Sequence, residues 1–325
     1  MRAVTSRLPV LVTAVVAVLL ALLPATPAAT AAKPVYVALG DSYASGVGTG
    51  AYRDDGTTCR RSSAAYPALA ARALGYRLRF RACAGATVSH VTAAQLGALR
   101  RSTRYVTLSV GGNDAGFAGV LTTCATPWWL GDCERAVAGA RRFVRDSLTR
   151  RLQTLYAEVR RRAPRARVVV VGYPRIFMGE DCDAGTWFSA DEQRRLNGTA
   201  DLLNARLGAA ARGAGFAFAD PTSAFRGHAV CDEAEWVNGL SFPVAESYHP
   251  NRAGHASGLL PLVRPLLRGA PARAAVVRPA AEPSPARARG VRTAPFRRPD
   301  LTTPRAERAA RRHGIDLDRW LARHP

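Results

Sequence analysis

The chain has 325 residues, of which 48% are hydrophobic, and its formal net charge at pH 7 is +22. The positive charge is nearly all arginine, with Lys33 as the only lysine, and it is spread along the chain without the interleaved aromatic residues of an RNA-binding surface. The even distribution of the charge therefore argues against a nucleic-acid partner. The net positive charge itself indicates weak attraction to anionic surfaces such as phospholipid or wall polymer.

The first 32 residues have the pattern of a signal peptide. A basic start is followed by an apolar stretch (residues 8–23) and by small residues that end in Ala29-Thr30-Ala31. Because the stretch is shorter than the roughly 20 residues that span a bilayer, an uncleaved anchor is the weaker interpretation. We expect cleavage near Ala31 or Ala32 and a secreted, extracellular protein.

Residues 33–269 alternate apolar, strand-like runs with stretches of helical spacing. The pattern predicts strands at 35–39, 105–110 and 167–172, weaker strands at 77–81 and 216–218, and helices at 64–74, 136–163, 190–212 and 252–267. Such alternation predicts right-handed crossovers and one α/β domain with a doubly wound, parallel sheet.

Residues 270–325 are rich in arginine, proline and alanine. Such a segment cannot bury enough apolar area to offset the entropy lost on ordering, so the sequence predicts a disordered C-terminal extension, with a short helix at 305–312 or 316–321. Its basic character could hold the protein near an anionic surface, although a solvated tail is the simpler interpretation.

The six cysteines fall in pairs along the chain, and an even number in an exported protein indicates three disulfides. Six cysteines allow 15 connectivities, of which the pairing of nearest neighbours closes the shortest loops. A metal site is the weaker interpretation, because no C-x-x-C occurs and no histidine has ligand spacing to a cysteine.

A serine follows the first predicted strand, in the sequence GDSYASG (residues 40–46). Small residues clear space around Ser42, and the end of a buried strand is where an α/β fold places a nucleophile. A serine hydroxyl is a poor nucleophile until a base takes its proton, so Ser42 needs an imidazole within hydrogen-bond reach.

His249 is the best candidate for that base. It lies in the sequence SYHPN (residues 247–251), in a loop that begins the last predicted helix, so its ring can project over the strand ends. The other histidines lie in the extension, have no loop motif around them or, in the case of His255, lie inside that helix, where packing or capping is expected.

Two residues could stabilise the oxyanion of an acyl-transfer reaction. Asn113, in the sequence GGND (residues 111–114), carries a side-chain amide, and Gly85, in CAGAT (residues 83–87), offers a backbone N–H. Taken alone, the GGND segment could be only a turn, and the CAGAT segment only a loop beside a cysteine. We expect Asp41 to fix its turn through its backbone and Asp114 to tie its loop to neighbouring segments.

These blocks together resemble the secreted SGNH hydrolases of the GDSL lipase/esterase family, in particular extracellular lipases of the Streptomyces type. The resemblance covers roughly residues 34–268, and ordered agreement of several blocks is more specific than one short motif. It implies a flavodoxin-like three-layer α/β/α sandwich with a central parallel sheet. It also implies the disulfides Cys59–Cys83, Cys124–Cys133 and Cys182–Cys231.

The resemblance implies a role for each block. It places the nucleophile at Ser42, the base at His249, and the oxyanion hole at Ser42, Gly85 and Asn113. The family usually has aspartate three residues before the histidine, where it holds the imidazole tautomer, but this chain has Glu246. Some relatives use a backbone carbonyl there, so Glu246 can act through its carboxylate, through its main-chain oxygen or not at all, and its extra methylene favours the carbonyl.

The sequence thus predicts a secreted carboxylic ester hydrolase, a lipase or esterase that cleaves lipid esters such as triacylglycerols through an acyl-enzyme on Ser42. We expect a monomer that needs no metal or organic cofactor and binds a small-molecule ester or lipid substrate. The alternatives are a phospholipase or a carbohydrate (acetyl) esterase on the same fold. A non-catalytic wall-binding protein is disfavoured by the intact serine, asparagine and histidine.

Two aromatic segments bear on the substrate, namely Trp128-Trp129-Leu130 and Trp187-Phe188. If they form a hydrophobic rim of the cleft, they favour acyl chains, whereas a polar cleft would favour sugars. The opposing interpretation is that they only cover a disulfide-bound loop.

Overall fold

A computed structural model of the chain describes residues 32–268 and 292–324. The predicted signal peptide (residues 1–32) therefore lies, except for its last residue, outside the described residues, as do residues 270–291 of the predicted extension. Within the described ranges, each helix is too short or too polar to cross a bilayer.

Five parallel strands form one sheet in the order β2-β1-β3-β4-β5. Their β-branched and aromatic residues suit a pleated, buried surface. Each strand agrees with its predicted run to within one residue at either end. The strands are β1 (Val35–Gly40), β2 (Arg77–Phe80), β3 (Tyr105–Ser109), β4 (Arg167–Val171) and β5 (Ala217–Ala219).

The direction of the strand order reverses between β1 and β3, which pair directly although β2 separates them in sequence. In open α/β sheets, ligands bind beyond the carboxyl ends of the strands at such a reversal. The chain leaves β1 toward Ser42 and leaves β3 toward Asn113. The topology therefore brings these two predicted residues to the same edge of the sheet.

The predicted helices are present, and three short helices are added. In chain order the domain contains α1 (Ser42–Ser45), α2 (Tyr66–Leu74), α3 (Val88–His90), α4 (Phe117–Cys124), α5 (Cys133–Phe143), α6 (Thr149–Arg162), α7 (Ala190–Gly213) and α8 (Leu260–Leu267). The predicted helix at 136–163 is α5 and α6 joined by the π-helical stretch Val144–Leu148, and the one at 252–267 begins as the π-helical stretch Gly254–Leu259. The sequence pattern does not predict α1, α3 or α4.

Two hydrophobic cores flank the sheet, because successive residues of a strand point to opposite faces. In β1, Tyr36 and Ala38 belong to one core, and Val37 and Leu39 to the other. Helices α2 and α8 bury apolar side chains in the first core, and α6 contributes to the second. The result is the predicted three-layer α/β/α sandwich.

The three predicted disulfides are confirmed, and they pair all six cysteines of the chain. They are Cys59–Cys83, Cys124–Cys133 and Cys182–Cys231.

The prediction of a disordered extension is wrong for residues 292–324, which belong to the same compact unit as the domain. They form α9 (Pro304–Arg312) and α10 (Leu317–Leu321), close to both of the predicted short helices. Leu301 and the alanines of α9 pack in a third, smaller core with Trp129 of the domain. The extension is ordered because the domain supplies apolar surface that its own composition lacks.

Candidate active site

Ser42 is held at the carboxyl edge of the sheet by the turn after β1. Gly40 has φ +130°, and a Cβ there would lie 2.2 Å from the backbone oxygen of Ser109, so glycine permits the close approach of β1 and β3. The side-chain amide of Gln95 binds both polar groups of Gly40: its Oε1 accepts from the N–H and its Nε2 donates to the carbonyl, each at 2.8 Å. Gln95 thus fixes the turn that carries Ser42, and no motif in the sequence indicates this role.

Asp41 fixes this turn through its side chain, and not through its backbone as predicted from the sequence. The carboxylate is buried and accepts from the N–H of Tyr43 at 3.0 Å and from the hydroxyl of Tyr173 at 2.5 Å. Burial raises the pKa of Asp41 to about 7, and these hydrogen bonds partly offset the rise. Asp41 thus caps α1 and joins it to the segment that follows β4.

Asp114 also behaves as expected of a structural carboxylate. Its Oδ2 accepts from the N–H of Val88 at 2.9 Å, which ties the loop after β3 to the start of α3. Burial raises the pKa of Asp114. This contact fixes the loop that carries Asn113.

His249 and Ser42 form a hydrogen-bonded pair. Nε2 of His249 lies 2.8 Å from Oγ of Ser42, and Nδ1 lies 2.9 Å from the carbonyl oxygen of Ser247. A carbonyl can only accept, so Nδ1 carries the proton and Nε2 can accept from the serine hydroxyl. Desolvation by the surrounding protein lowers the pKa of His249 to about 4, against the opposing effect of the Ser247 hydrogen bond. The ring is therefore neutral at pH 7.

A left-handed turn at Tyr248 creates this arrangement. Tyr248 has φ +60°, which is uncommon for a residue other than glycine. Its N–H donates to the carbonyl of Asn238 at 2.9 Å, and its carbonyl accepts from the hydroxyl of Tyr43 at 2.7 Å. These two bonds hold the turn that presents the Ser247 carbonyl to the ring of His249.

The prediction for Glu246 is corrected by one residue. The carbonyl that accepts from Nδ1 of His249 belongs to Ser247, and the carbonyl of Glu246 interacts with the ring to a smaller extent. The Glu246 side chain is buried. Burial, and to a smaller extent the negative charge of Glu246, raises the pKa of Tyr52 to about 12. A backbone acceptor leaves no mark on the side-chain sequence, so its position could not be read there.

Gly85 and Asn113 line the same cavity of about 270 Å³ as Ser42 and His249. Across residues 32–268 and 292–324, the N–H groups of Ser42 and Gly85 donate no hydrogen bond. One hydrogen of the Asn113 amide binds the carbonyl of Ala86 at 3.0 Å, and an amide has two. The structure therefore brings the four predicted residues together with donors available beside the serine.

Apolar side chains form much of the remaining cavity wall, among them Phe117, Leu121 and Ile176. Arg60 also lines the cavity, and its charge contributes to the lowered pKa of His249, behind desolvation. Unexpectedly, residues 292–296 of the extension form another part of the wall. No motif in the sequence indicated that this segment reaches the site.

The aromatic segments singled out in the sequence do not rim this cavity, within the part of the chain that the structure describes. Trp129 and Trp187 instead pack against Trp320 of α10, with ring centroids 5.5 and 5.4 Å apart. Phe188 packs on Phe177 in the domain, whereas Trp128 is 70% exposed. Trp129 and Trp187 therefore hold the extension rather than a substrate.

The remaining candidate groups are structural. His255 is buried, and its Nδ1 accepts from the N–H of Tyr66 at 3.2 Å at the start of α2, as expected of a packing or capping residue. Burial lowers the pKa of His255 to about 3. In the described ranges, His, Cys, Asp and Glu side chains form no group of three that could hold a metal ion.

Residues 38–257 match the model of the GDSL-like Lipase/Acylhydrolase family. The chain is 42% identical over 230 residues to a lipase of Streptomyces rimosus, covering 70% of this chain and 85% of that protein. It is 39% identical over 242 residues to Lipase 1 of Streptomyces coelicolor, covering 72% and 89%.

Two crystal structures resemble the fold closely. The extracellular lipase of Streptomyces rimosus has a TM-score of 0.67 at 40% identity, and a phospholipase A1 of Streptomyces albidoflavus has a TM-score of 0.67 at 43% identity. Each comparison covers 99% of the solved chain but 72% of this one, so more than a quarter of this chain has no counterpart there.

Proposed function

Because the chain belongs to the GDSL-like lipase/acylhydrolase family and is a carboxylic ester hydrolase, we propose that it cleaves acyl esters of lipids through an acyl-enzyme on Ser42. The observation that carries the proposal is the 2.8 Å hydrogen bond between Oγ of Ser42 and Nε2 of His249, beside a cavity with apolar walls. Relatives at 42% and 39% identity are lipases by name, which supports lipid esters as the substrate class.

Acylation begins when Oγ of Ser42 attacks the ester carbonyl and Nε2 of His249 takes the hydroxyl proton. The lowered pKa of His249 keeps the imidazole neutral and ready to accept. The proton that arrives at Nε2 creates an imidazolium, which the Ser247 carbonyl stabilises through Nδ1–H. The imidazolium then donates the proton to the departing alcohol.

The oxyanion of the tetrahedral intermediate would be bound by three donors: the N–H groups of Ser42 and Gly85 and the second amide hydrogen of Asn113. The first two groups have no other acceptor in the described structure, and the third is oriented by the bond from Asn113 to Ala86. In the second half of the reaction, His249 would activate water, which attacks the acyl-enzyme and releases the fatty acid.

We further propose that the protein is exported by cleavage of residues 1–32 and acts as a monomer. Export is supported by the basic, apolar and small-residue order of this segment and by the extracellular lipase among the relatives. A monomer is supported by the site itself, because one chain supplies the nucleophile, the base and the oxyanion donors. The net charge of +22 supports weak attraction of the exported protein to anionic surfaces.

The test is hydrolysis of p-nitrophenyl esters from acetate to palmitate by the mature protein (residues 33–325). We expect activity that Ser42→Ala lowers by about 10⁶-fold, the scale seen when a serine nucleophile is removed. Ser63→Ala is the matched control, because Ser63 is exposed and does not line the cavity. Wild-type rates in Ser42→Ala, or no hydrolysis of any ester by the wild type, would overturn the proposal.

A phospholipid is the second candidate substrate, supported by the similarity to a phospholipase A1 and by Arg60 in the cavity wall. A guanidinium beside the catalytic pair could bind the phosphate of a headgroup. If this is correct, Arg60→Gln lowers hydrolysis of phosphatidylcholine more than that of a neutral triacylglycerol. Equal losses on both substrates would rule out this role. A carbohydrate ester is less well supported, because the cavity wall is largely apolar.

A further inference from the structure

We propose that residues 292–296 of the extension, here called the strap, form part of the active site and limit the length of the acyl chain that the cavity accepts. Thr293 acts as a positioning residue for Asn113, and Phe296 as a specificity-determining residue. This inference rests on the proposed function, because it concerns the acyl side of the same cavity.

The strap runs alongside the loop that carries Gly85. The N–H of Thr293 donates to the carbonyl of Gly85 at 2.8 Å, and Ala86 and Arg292 form an antiparallel bridge. The approach is so close that a Cβ on Gly85 would lie 2.5 Å from the carbonyl oxygen of Thr293. The backbone of the strap therefore fixes the loop that offers an oxyanion donor.

Thr293 also fixes the amide of Asn113. Its Oγ1 donates to Oδ1 of Asn113 at 2.7 Å, while Nδ2 of Asn113 donates to the carbonyl of Ala86 at 3.0 Å. A flip that exchanges Oδ1 and Nδ2 would set Oδ1 against the carbonyl of Ala86, which can only accept, so the amide keeps its orientation and Oδ1 accepts from the Thr293 hydroxyl. Thr293 thus helps to keep the second N–H of Asn113 directed at the cavity.

Contacts on both sides anchor the strap. The guanidinium of Arg292 donates to the carbonyl of Ala84 at 2.8 Å and to Oγ1 and the carbonyl of Thr58 at 3.0 and 3.2 Å. Just beyond the strap, the N–H of Arg297 donates to Oγ1 of Thr122 in α4 at 3.0 Å. The segment therefore crosses the cavity from the Gly85 loop to α4 in a defined position.

Phe296 closes the apolar part of the cavity. It is 4% exposed, and its ring meets the ring of Tyr248 edge-on, with centroids 4.9 Å apart. It lines the cavity together with Phe117 and Leu121, the side chains that an acyl chain on Ser42 would meet. With the strap in place the cavity is about 270 Å³, just below the roughly 300–1,000 Å³ of sites that enclose drug-sized ligands. Truncation of Phe296 would lengthen this space.

The comparisons support the strap as an addition to the family site. The family match ends at residue 257, before the strap begins. The two solved relatives are matched along 99% of their length by 72% of this chain. The strap therefore gives this chain a means of setting acyl length beyond the residues that the family match covers.

The test compares kcat/KM for p-nitrophenyl acetate and octanoate in variants of the mature chain. Phe296→Ala should raise the octanoate-to-acetate ratio by about tenfold, the scale of a methylene or two in an apolar pocket, and Phe296→Trp should lower it. Arg297→Ala is the matched control, because its side chain is exposed next to the strap and only its backbone binds α4; its ratio should equal that of the wild type.

Thr293 is tested separately by Thr293→Val, which keeps the shape and removes the hydroxyl. We expect kcat to fall about tenfold on both esters with little change in KM, which is less than the 10²–10³-fold lost when an oxyanion donor is removed outright. Thr293→Ser should restore kcat, because it returns the hydroxyl to Asn113. A merely structural role would lower the melting temperature without this rescue of kcat.

Active-site titration with a phosphonate ester corrects each rate for folded enzyme, and Phe296→Leu replaces Phe296→Ala if the latter does not fold. An unchanged octanoate-to-acetate ratio in the folded variant would overturn the inference. So would an equal gain on acetate and octanoate, because it would mean that the strap blocks the oxyanion hole rather than bounding the acyl cavity. Either result, with Ser42→Ala inactive and the wild type active, leaves the proposed function intact.

Discussion

The substitution Glu246→Gln distinguishes two ways of orienting His249. Where a carboxylate orients a catalytic histidine, its amide variant loses about 10⁴-fold in kcat, which corresponds to about 5.4 kcal/mol of transition-state stabilisation. In this structure Nδ1 of His249 donates to the carbonyl of Ser247 at 2.9 Å, and the Glu246 carboxylate interacts electrostatically with Tyr52. The substitution leaves the carbonyl in place, so we expect kcat within about threefold of wild type, a change below about 0.7 kcal/mol.

The assay is initial-rate hydrolysis of p-nitrophenyl butyrate at pH 7, with kcat normalised to titrated active sites. Ser247→Ala is the matched control, because it alters the neighbouring side chain and also keeps the carbonyl. Oγ of Ser247 accepts from the N–H of Ser241 at 3.0 Å, so this control should lose stability rather than kcat. A loss of more than about 10³-fold in Glu246→Gln, with an unchanged melting temperature, would refute the backbone-carbonyl assignment, because it approaches the cost of a lost triad carboxylate.

Two further predictions follow from the pKa of His249 and from the disulfides. Because the base acts only when neutral, kcat/KM should be retained above about pH 4 and lost as the pH falls through the lowered pKa of His249; a midpoint near 6.5, the ordinary histidine value, in a folded enzyme would contradict this. Replacing Cys182–Cys231 by serines should cost about 4 kcal/mol and replacing Cys124–Cys133 about 2.5 kcal/mol, because the bridges close loops of 49 and 9 residues. Urea unfolding measures both losses, and the reverse order would count against the loop-entropy argument.

The sheet could be predicted because its strands are short, apolar and bounded by turns. The run RVVVV of β4 has no helical period and is followed by glycine, so it could only be a buried strand. Helix α4 could not be predicted in the same way. Its sequence FAGVLTTC contains glycine, valine and threonine, which are weak helix formers, and its N-cap Gly116 has no side-chain cap. Tertiary packing of Val120 and Leu121 and the disulfide at Cys124 stabilise it instead.

In the candidate site, too, the features that depend on local sequence could be predicted, and those that depend on tertiary contacts could not. The sequence indicated Ser42, Asn113 and His249 because each lies in a short block of small or polar residues next to a predicted element. The acceptor for His249 is a main-chain carbonyl at Ser247, and its position depends on the left-handed turn at Tyr248. Such a turn depends on hydrogen bonds to residues outside it, Asn238 and Tyr43. The sequence of the turn itself therefore does not predict it.

The extension shows why composition misled the prediction of disorder. The face of α9 that packs on the domain is made of Ala306, Ala309 and Ala310, which bring little apolar area of their own. Because these alanines are small, the helix can approach a large flat side chain closely, and Trp129 of the domain is that side chain.

Burial is a property of both partners, so a segment of low hydropathy can be ordered when the apolar surface lies on the other side of the contact. Trp320 is the large apolar side chain that the extension itself contributes to this contact, and it packs against Trp129 and Trp187 of the domain. The same docking holds the chain that leads back to Phe296 at the cavity.

If Trp320 anchors that chain, Trp320→Ala should loosen the strap and shift acyl-length selectivity in the same direction as Phe296→Ala, although Trp320 does not line the cavity. An unchanged octanoate-to-acetate ratio in Trp320→Ala would mean that the contacts of Arg292 and Arg297 suffice to hold the strap.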